Sequence, residues 1–201
     1  MQWAVLTGDI VESSEFSPAD VDEMLNTLER TAREFSGLRH SDKDKTEAAV
    51  ARRGGDGWQI ALNKPALALR AALYIQARLR LLHEDATTRI AVATGEGALP
   101  ENADADLNSA HGVAFRESGR LLDKLTGRTF FAHADGGALG AAFRLADHIS
   151  QGWTQAQARA VCAMLPPGSG PRRVAAEQIG ISRQAVDQAL WSAGYPAIEE
   201  A

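Results

Sequence analysis

The sequence is poor in several features that would define a protein class at once. It has a single cysteine, Cys162, in 201 residues, which excludes a disulfide framework and a thiolate zinc cage. No run of about 18 uncharged apolar residues occurs, so a membrane span is excluded. The opening stretch Met1-Gln2-Trp3-Ala4-Val5-Leu6-Thr7-Gly8-Asp9 has no basic residue and meets an acid at position nine. That is unlike a secretory leader, and a cytoplasmic protein is expected. The histidines, His40, His83, His111, His133 and His148, lack the H-x-x-x-H spacing of a metal site. There is no internal repeat and no low-complexity tract.

Positive charge is also scarce. The chain carries 21 basic and 26 acidic residues, a net −5. From Gln151 onward, Arg159, Arg172, Arg173 and Arg183 are balanced by Glu177, Asp187, Glu199 and Glu200, so all the net charge lies before that point. Neither part has the strong basic bias of a tight nucleic-acid binder. Any DNA binding must come from local placement of a few arginines, or from a dimer.

With 45% apolar residues the chain has enough material for a sizeable core, as one large domain or two small ones. Residues 2–7 read as a buried strand running into Gly8-Asp9. Ser17-Pro18 provides an N-cap and a first-turn proline, and Val21, Leu25, Leu28 and Ala32 share one face of a helix to about Glu34. Residues 36–48 form a polar connection. Val50 to Leu62 reads as two extended arms around an Asp56-Gly57 turn. Pro65 opens a second helix to about Leu82, and Thr88 to Thr94 is a short strand ending in Gly95-Glu96-Gly97. A polar loop (100–108), a helix from Val113 to Leu125, a strand-like Arg128 to Ala134 and a helix from Leu139 to His148 follow. The order β-α-β-β-α-β predicts an α+β, ferredoxin-like domain over residues 1–150. Beyond Gly152 the pattern becomes a string of short helices, predicting a small all-α domain over 153–201.

Asp9 at the end of the first strand and Asp56 in the hairpin can meet at one sheet edge in this order of elements. Two aspartates so placed can hold a pair of Mg²⁺ or Mn²⁺ ions about 3.5–4 Å apart, clamping a nucleotide's phosphates. Gly55 and Gly57 would let the backbone approach those phosphates closely. The plainer alternative is that Asp-Gly is ordinary turn chemistry and that Asp9 merely ends a strand.

Four segments carry a resemblance. They are Thr7-Gly8-Asp9-Ile10-Val11-Glu12-Ser13, then Gly55-Asp56-Gly57-Trp58, then Arg89-Ile90-Ala91-Val92-Ala93-Thr94-Gly95. The last is Gly112-Val113-Ala114-Phe115-Arg116-Glu117-Ser118-Gly119-Arg120-Leu121. In this order they resemble the class III nucleotidyl cyclase superfamily, and more closely its SatD-like branch of unknown activity. The resemblance implies that Asp9 and Asp56 hold the metal, with the Ile10 carbonyl as a further ligand. It implies that Arg120 stabilises charge on the phosphates of a nucleoside triphosphate, a role suited to a planar, permanently charged fork. It also implies a homodimer, because that family builds each site from two protomers. Arg116 stands where the family has asparagine, and Ala49 or Val50 stands at the base-selecting position; Asn108 or Ser109 is the expected polar partner. These departures weaken cyclisation most and metal binding least. Arg116 and Arg120, one helical turn apart, can instead grip a phosphate-rich ligand without turnover. Without the family frame, Arg120 reads as a solvated arginine paired with Glu117 or Asp123.

Residues 172–191 are similar to helix-turn-helix domains. Ala176 is the small residue where two helices touch, Gly180 suits the turn, Ile181 and Val186 are expected between the helices, and Ser182 caps the second. An amphipathic helix from Gln155 to Leu165 precedes them. As a DNA reader, Ser182, Arg183, Gln184, Asp187 and Gln188 would face the major groove and Arg172 and Arg173 the phosphates. A neutral charge balance, with Asp187 on the reading face, leaves a packing or protein-docking unit as the alternative. The combined expectation is a nucleotide-binding, ligand-responsive transcriptional regulator; the alternative is an active cyclase that makes a cyclic nucleotide.

Overall fold

The computed structural model describes residues 1–36, 46–99 and 107–200. Most of the polar connection after the first helix, most of the 100–108 loop, His40 and the side chain of Asn108 lie outside the described residues. The protein is a mixed α/β structure with a largely antiparallel, curled sheet covered by helices.

Strand β1 (Gln2–Ile10) is central, antiparallel to β3 (Gly57–Leu62) on one side and β4 (Thr88–Ala98) on the other. Strand β2 (Ala48–Arg53) pairs with β3 as a hairpin, giving the order β2-β3-β1-β4. Helix α1 (Pro18–Ser36) connects β1 to β2, and α2 (Ala68–Leu82) connects β3 to β4. Each connection therefore skips one strand of the other pair. Ser17 caps α1: its hydroxyl accepts from the Asp20 amide at 3.2 Å and donates to the Asp20 carboxylate at 2.7 Å.

Strand alternation divides the core. Ala4, Leu6 and Ile10 of β1 face α1 and α2 with Trp58, Ile60, Leu62, Ile90 and Val92. Trp3 and Val5 face the other way with Ala51 and Ala61, beneath α3 (Val113–Leu122) and its Ala114 and Phe115. Burying each large apolar side chain stabilises the fold by about 1.5–3 kcal/mol. Polar residues on the second face are linked in a chain, which leaves the Gln59 side-chain oxygen and the Trp3 indole N–H buried without a partner among the described residues. The Gln59 amide donates to the Thr7 hydroxyl at 2.8 Å, and Thr7 and Ser118 share a 2.8 Å hydrogen bond that ties α3 to β1.

Several bounds differ from the sequence expectation, for reasons of pairing. Strand β1 continues to Ile10, so Asp9 lies inside the ladder opposite Gly57 and Arg89. Strand β4 runs through its glycines to Ala98, because Glu96 and Gly95 pair with Gln2 and Trp3, and Gly97 and Ala98 pair with β5 (His111–Gly112). The hairpin turn is Gly54-Gly55-Asp56, with positive φ at both glycines (46° and 50°) and the Gly57 amide donating to the Gly54 carbonyl at 2.9 Å, so Asp56 is in the turn as expected and Gly57 is not. Gly57 is already in β3, and a Cβ on it would meet the Arg53 carbonyl oxygen at 2.2 Å. Helix α3 ends at Leu122, three residues early, in a turn where the Lys124 amide donates to the Leu121 carbonyl. Strand β6 (Phe131–His133) is shorter than expected and pairs in parallel with β4.

Helix α4 (Gly137–Gln151) follows β6 and ends at Gly152. Beyond it come α5 (Gln155–Met164), α6 (Arg172–Ile179), α7 (Arg183–Ser192) and α8 (Tyr195–Glu200). Their apolar residues join the core of the sheet's α1–α2 face; Ala158, Val161, Val186 and Leu190 are fully buried. Three hydrogen bonds lock this corner: the Trp153 indole to the Ala193 carbonyl at 2.8 Å, the Tyr195 hydroxyl to the Met164 carbonyl at 3.0 Å, and Arg70 of α2 to the Leu165 carbonyl at 2.9 Å.

Candidate functional site

Asp9 and Asp56 both lie at the end of the sheet where β1 leaves it, and a third residue joins Asp9. Arg89 of β4 pairs across the ladder with Asp9. Its Nε donates to one Asp9 oxygen at 2.7 Å and an Nη donates to the other at 2.5 Å, a two-pronged contact that occupies both. The other Nη donates to the Leu125 carbonyl at 3.3 Å, just past α3. Asp56 lies one residue beyond Gly57, the β3 partner of Asp9. The Asp9 hydrogen bond raises the affinity of Arg89 for its proton, and the charges of Asp9 and Asp56 add to that effect against the cost of burial. The guanidinium bonds to Asp9 and feels Asp56 through its charge alone.

The local backbone is built for this end of the sheet. Trp58 lies flat across Gly8, with its indole N–H donating to the Thr88 hydroxyl at 3.0 Å, and that hydroxyl donates to the Asp9 carbonyl at 2.6 Å. After Ile10 the chain turns sharply at Glu12, a non-glycine residue with φ 52°. This turn leads into an open groove of about 660 Å³ between α1 and the hairpin, lined among others by Ser13, Ser14, Phe16, Asp22, Arg52 and Asp56. Arg52 donates to Asp22 at 2.6 Å, Glu29 at 2.8 Å and Asn26 at 2.9 Å, so the groove holds more acid than free base. Asp56 lines this groove, while Asp9 and Arg89 lie on the sheet face that α3 covers. Gly55 borders the groove with open space about its α-carbon, whereas the reason for Gly57 is its contact with Arg53.

The donor types suit a hard divalent cation: the Asp9 and Asp56 carboxylates lie at this end of the sheet, with a guanidinium as the stand-in cation on Asp9. Among the described residues no group of three or more His, Cys, Asp or Glu side chains gathers in metal-binding geometry. Any such ion would therefore draw on Asp9 and Asp56, completed by backbone, solvent or phosphate oxygens.

Arg116 and Arg120 lie on the outer side of α3. Arg120 is 63% exposed and bonds to Glu117 at 3.2 Å; Arg116 bonds to the same carboxylate oxygen at 3.1 Å. Ser118, which faces the sheet, is about 200° away from Arg120 around the helix. Arg120 therefore points away from its own Asp9.

In the C-terminal part, Gly180 adopts the left-handed conformation (φ 77°) and closes α6, and the Ser182 hydroxyl accepts from the Ala185 amide at 3.1 Å to cap α7. Ala176, Val186 and Leu190 are buried as expected; Ile181 is not, being 42% exposed beside the turn. Arg183, Gln184 and Gln188 lie exposed on α7 with Ser182 before them. Arg172 is not a free phosphate ligand, because it bonds to Asp187 at 3.0 Å and to Glu199 at 3.7 Å. Arg183 reaches the same Asp187 at 3.7 Å, and Arg173 pairs with Glu177.

Sequence reasoning missed two residues. Arg89 gives no signal until the register sets it opposite Asp9. Trp191, 69% exposed on the outer face of α7 in line with Gln184 and Gln188, is an unusual surface side chain. Its i, i+4, i+7 spacing is visible in the sequence and was the available signal. No protein-family model and no curated protein matches the chain. Among the described residues no helix is long and apolar enough to cross a membrane.

Proposed function

We propose that this chain is a nucleotide-responsive regulator. Residues 1–150 form a ferredoxin-like, nucleotidyl cyclase-like domain that holds a nucleoside triphosphate with Mg²⁺ or Mn²⁺. Residues 153–201 form a helix-turn-helix domain that binds double-stranded DNA, and the protein acts as a homodimer. The observation that carries the reading is the two-pronged hold of Arg89 on Asp9 at the end of β1, beside the hairpin that carries Asp56. The order β2-β3-β1-β4, with α1 and α2 on one face, supports the ferredoxin-like assignment. The acid excess of the adjoining groove supports a metal, because a bare triphosphate would be repelled there. Bound at this site, the ion would neutralise phosphate charge; Asp9 and Asp56 would hold it, and Ser13 and Ser14 would donate to phosphate oxygens. The cap at Ser182, the turn at Gly180 and the exposed Gln184 and Gln188 support a DNA-reading α7.

Thermal melting of the full chain with each of the four nucleoside triphosphates, with and without Mn²⁺, tests the first part. Stabilisation is expected only where nucleotide and metal are both present, and only with Asp9 and Asp56 intact. Identical melting of wild type and the D9N/D56N variant under every condition refutes it. For the second part, selection from genomic fragments should return a two-fold symmetric site; recovery of random fragments refutes it.

The outward orientation of Arg120 favours one further reading, an active cyclase in which Arg120 serves the site of a second copy. It predicts a cyclic product from one of the triphosphates with Mn²⁺, lost in R120A; no product at high protein concentration rejects it.

A further inference from the structure

We propose that Arg89 is a gate on the Asp9–Asp56 site, a resident counter-ion that makes the cation and the phosphate bind together rather than separately. The inference rests on the metal–nucleotide reading of that site and assigns its regulation. Both carboxylate oxygens of Asp9 are held by the Arg89 fork, at 2.7 and 2.5 Å. A divalent cation requires at least one of those oxygens. Its arrival alone would strand a guanidinium beside a second positive charge. A phosphate removes that obstacle, since it accepts the same two parallel N–H bonds that the carboxylate releases. Arg89 is 37% exposed at its side chain and, among the described residues, is tethered on its far side by the Leu125 carbonyl alone at 3.3 Å, so it has room to transfer. The free protein is thereby self-neutralised, and each ligand lowers the cost of admitting the other. That coupling is reciprocal by thermodynamic necessity.

The test is Mn²⁺ binding to the full chain, followed by the resonance signal of the free ion, with and without inorganic phosphate. Wild type, R89Q, R89K and D9N are compared. Without phosphate, R89Q is expected to bind Mn²⁺ at least about tenfold tighter than wild type, the worth of releasing a charged two-pronged contact. R89K, which keeps the charge but loses the fork, is expected between them and carries the comparison if R89Q does not fold. Phosphate should tighten Mn²⁺ binding to wild type and leave R89Q nearly unchanged. Equal Mn²⁺ affinity in wild type, R89Q and R89K, abolished by D9N, overturns the gate while the metal reading stands. No Mn²⁺ binding by any of the proteins, with or without phosphate, overturns the metal reading and the gate with it.

Discussion

Substituting Gly8 by alanine tests how rigidly the end of the sheet is set. Gly8 sits in β1 between Trp58 of β3 and Ile90 of β4. A Cβ there would lie 2.2 Å from the Arg89 carbonyl oxygen and 2.4 Å from Cζ2 of Trp58, against a practical minimum of 3.0 Å. Neither neighbour yields easily. The carbonyl belongs to the β4 backbone, and Trp58, 1% exposed, is pinned through its indole N–H to Thr88 at 3.0 Å. Accommodating the methyl therefore requires β1 and β4 to part by about 0.8 Å, stretching the ladder bonds on either side. Overpacking of a tight core together with two weakened hydrogen bonds comes to about 2–4 kcal/mol.

Urea unfolding of wild type, G8A, W58F and the double variant measures this directly. Removing the outer ring of the indole in W58F should relieve the Trp58 contact but not the Arg89 contact. The G8A penalty should then shrink by about 1 kcal/mol in the W58F background without vanishing, a coupling expected of touching residues. A G8A penalty below about 0.5 kcal/mol would refute the reasoning, because it would mean that the strands slide apart at little cost. Complete rescue by W58F would refute the claim that the backbone contact matters. The site is affected too, since the shift moves the Arg89 backbone relative to Asp9.

Further outcomes follow from buried polar groups and ion pairs. Asp147, 1% exposed, accepts from the Phe130 amide at 2.9 Å, Arg144 at 2.5 Å and Gln151 at 2.7 Å; D147A should lose about 2–4 kcal/mol in urea, chiefly by stranding that amide. Burial holds the His133 imidazole below its ordinary value, with Asp135 pulling the other way. The unfolded chain therefore binds the proton first, so this residue's contribution is intact above about pH 6.5 and is lost as pH falls below it. H133N should show a smaller stability loss than wild type between about pH 7.5 and 5, and equal losses would contradict this. In α7, D187N should release Arg183 and loosen Arg172, which keeps Glu199, raising affinity for duplex DNA about three- to tenfold at low salt and steepening its salt dependence. Unchanged affinity and slope would show that those arginines do not meet phosphate.

Local chemistry made much of this legible. The Ser17-Pro18 start of α1, the paired arms of β2 and β3, the Gly180 turn and the Ser182 cap are each set by a few adjacent residues with strong conformational preferences. What local chemistry does not contain is register. The strand pairing carries β4 on through Gly95 and Gly97 to Ala98, and it brings Arg89 onto Asp9. Three glycines around Asp56 left the bounds of the turn ambiguous, and the close approach of Gly57 to Arg53 puts Gly57 in β3 and leaves Gly54-Gly55-Asp56 as the turn. Ile181 resembled a core residue by type, but the chain reverses at Gly180 and leaves it at the rim. The Arg120–Glu117 pair was foreseeable because three residues of helix always bring such side chains together. The Arg172–Asp187 bond was not, because it depends on how α6 crosses α7.

The arginines proposed to meet a ligand have one property in common. Arg89 is held by Asp9, Arg116 and Arg120 by Glu117, Arg172 and Arg183 by Asp187, and Arg173 by Glu177. A chain with net charge −5 has little long-range attraction for phosphates, so recognition must be an exchange in which phosphate replaces carboxylate on the same guanidinium. Exchange on the exposed helices costs little, since surface pairs are worth at most about 1 kcal/mol. At Asp9 the exchange is stiffer, because the contact is two-pronged and partly buried and the carboxylate it leaves needs a new cation. That difference sorts the two surfaces by role. The helical arginines are suited to reversible contact with a polyanion, and the sheet end is suited to a switch that opens only when metal and phosphate arrive together.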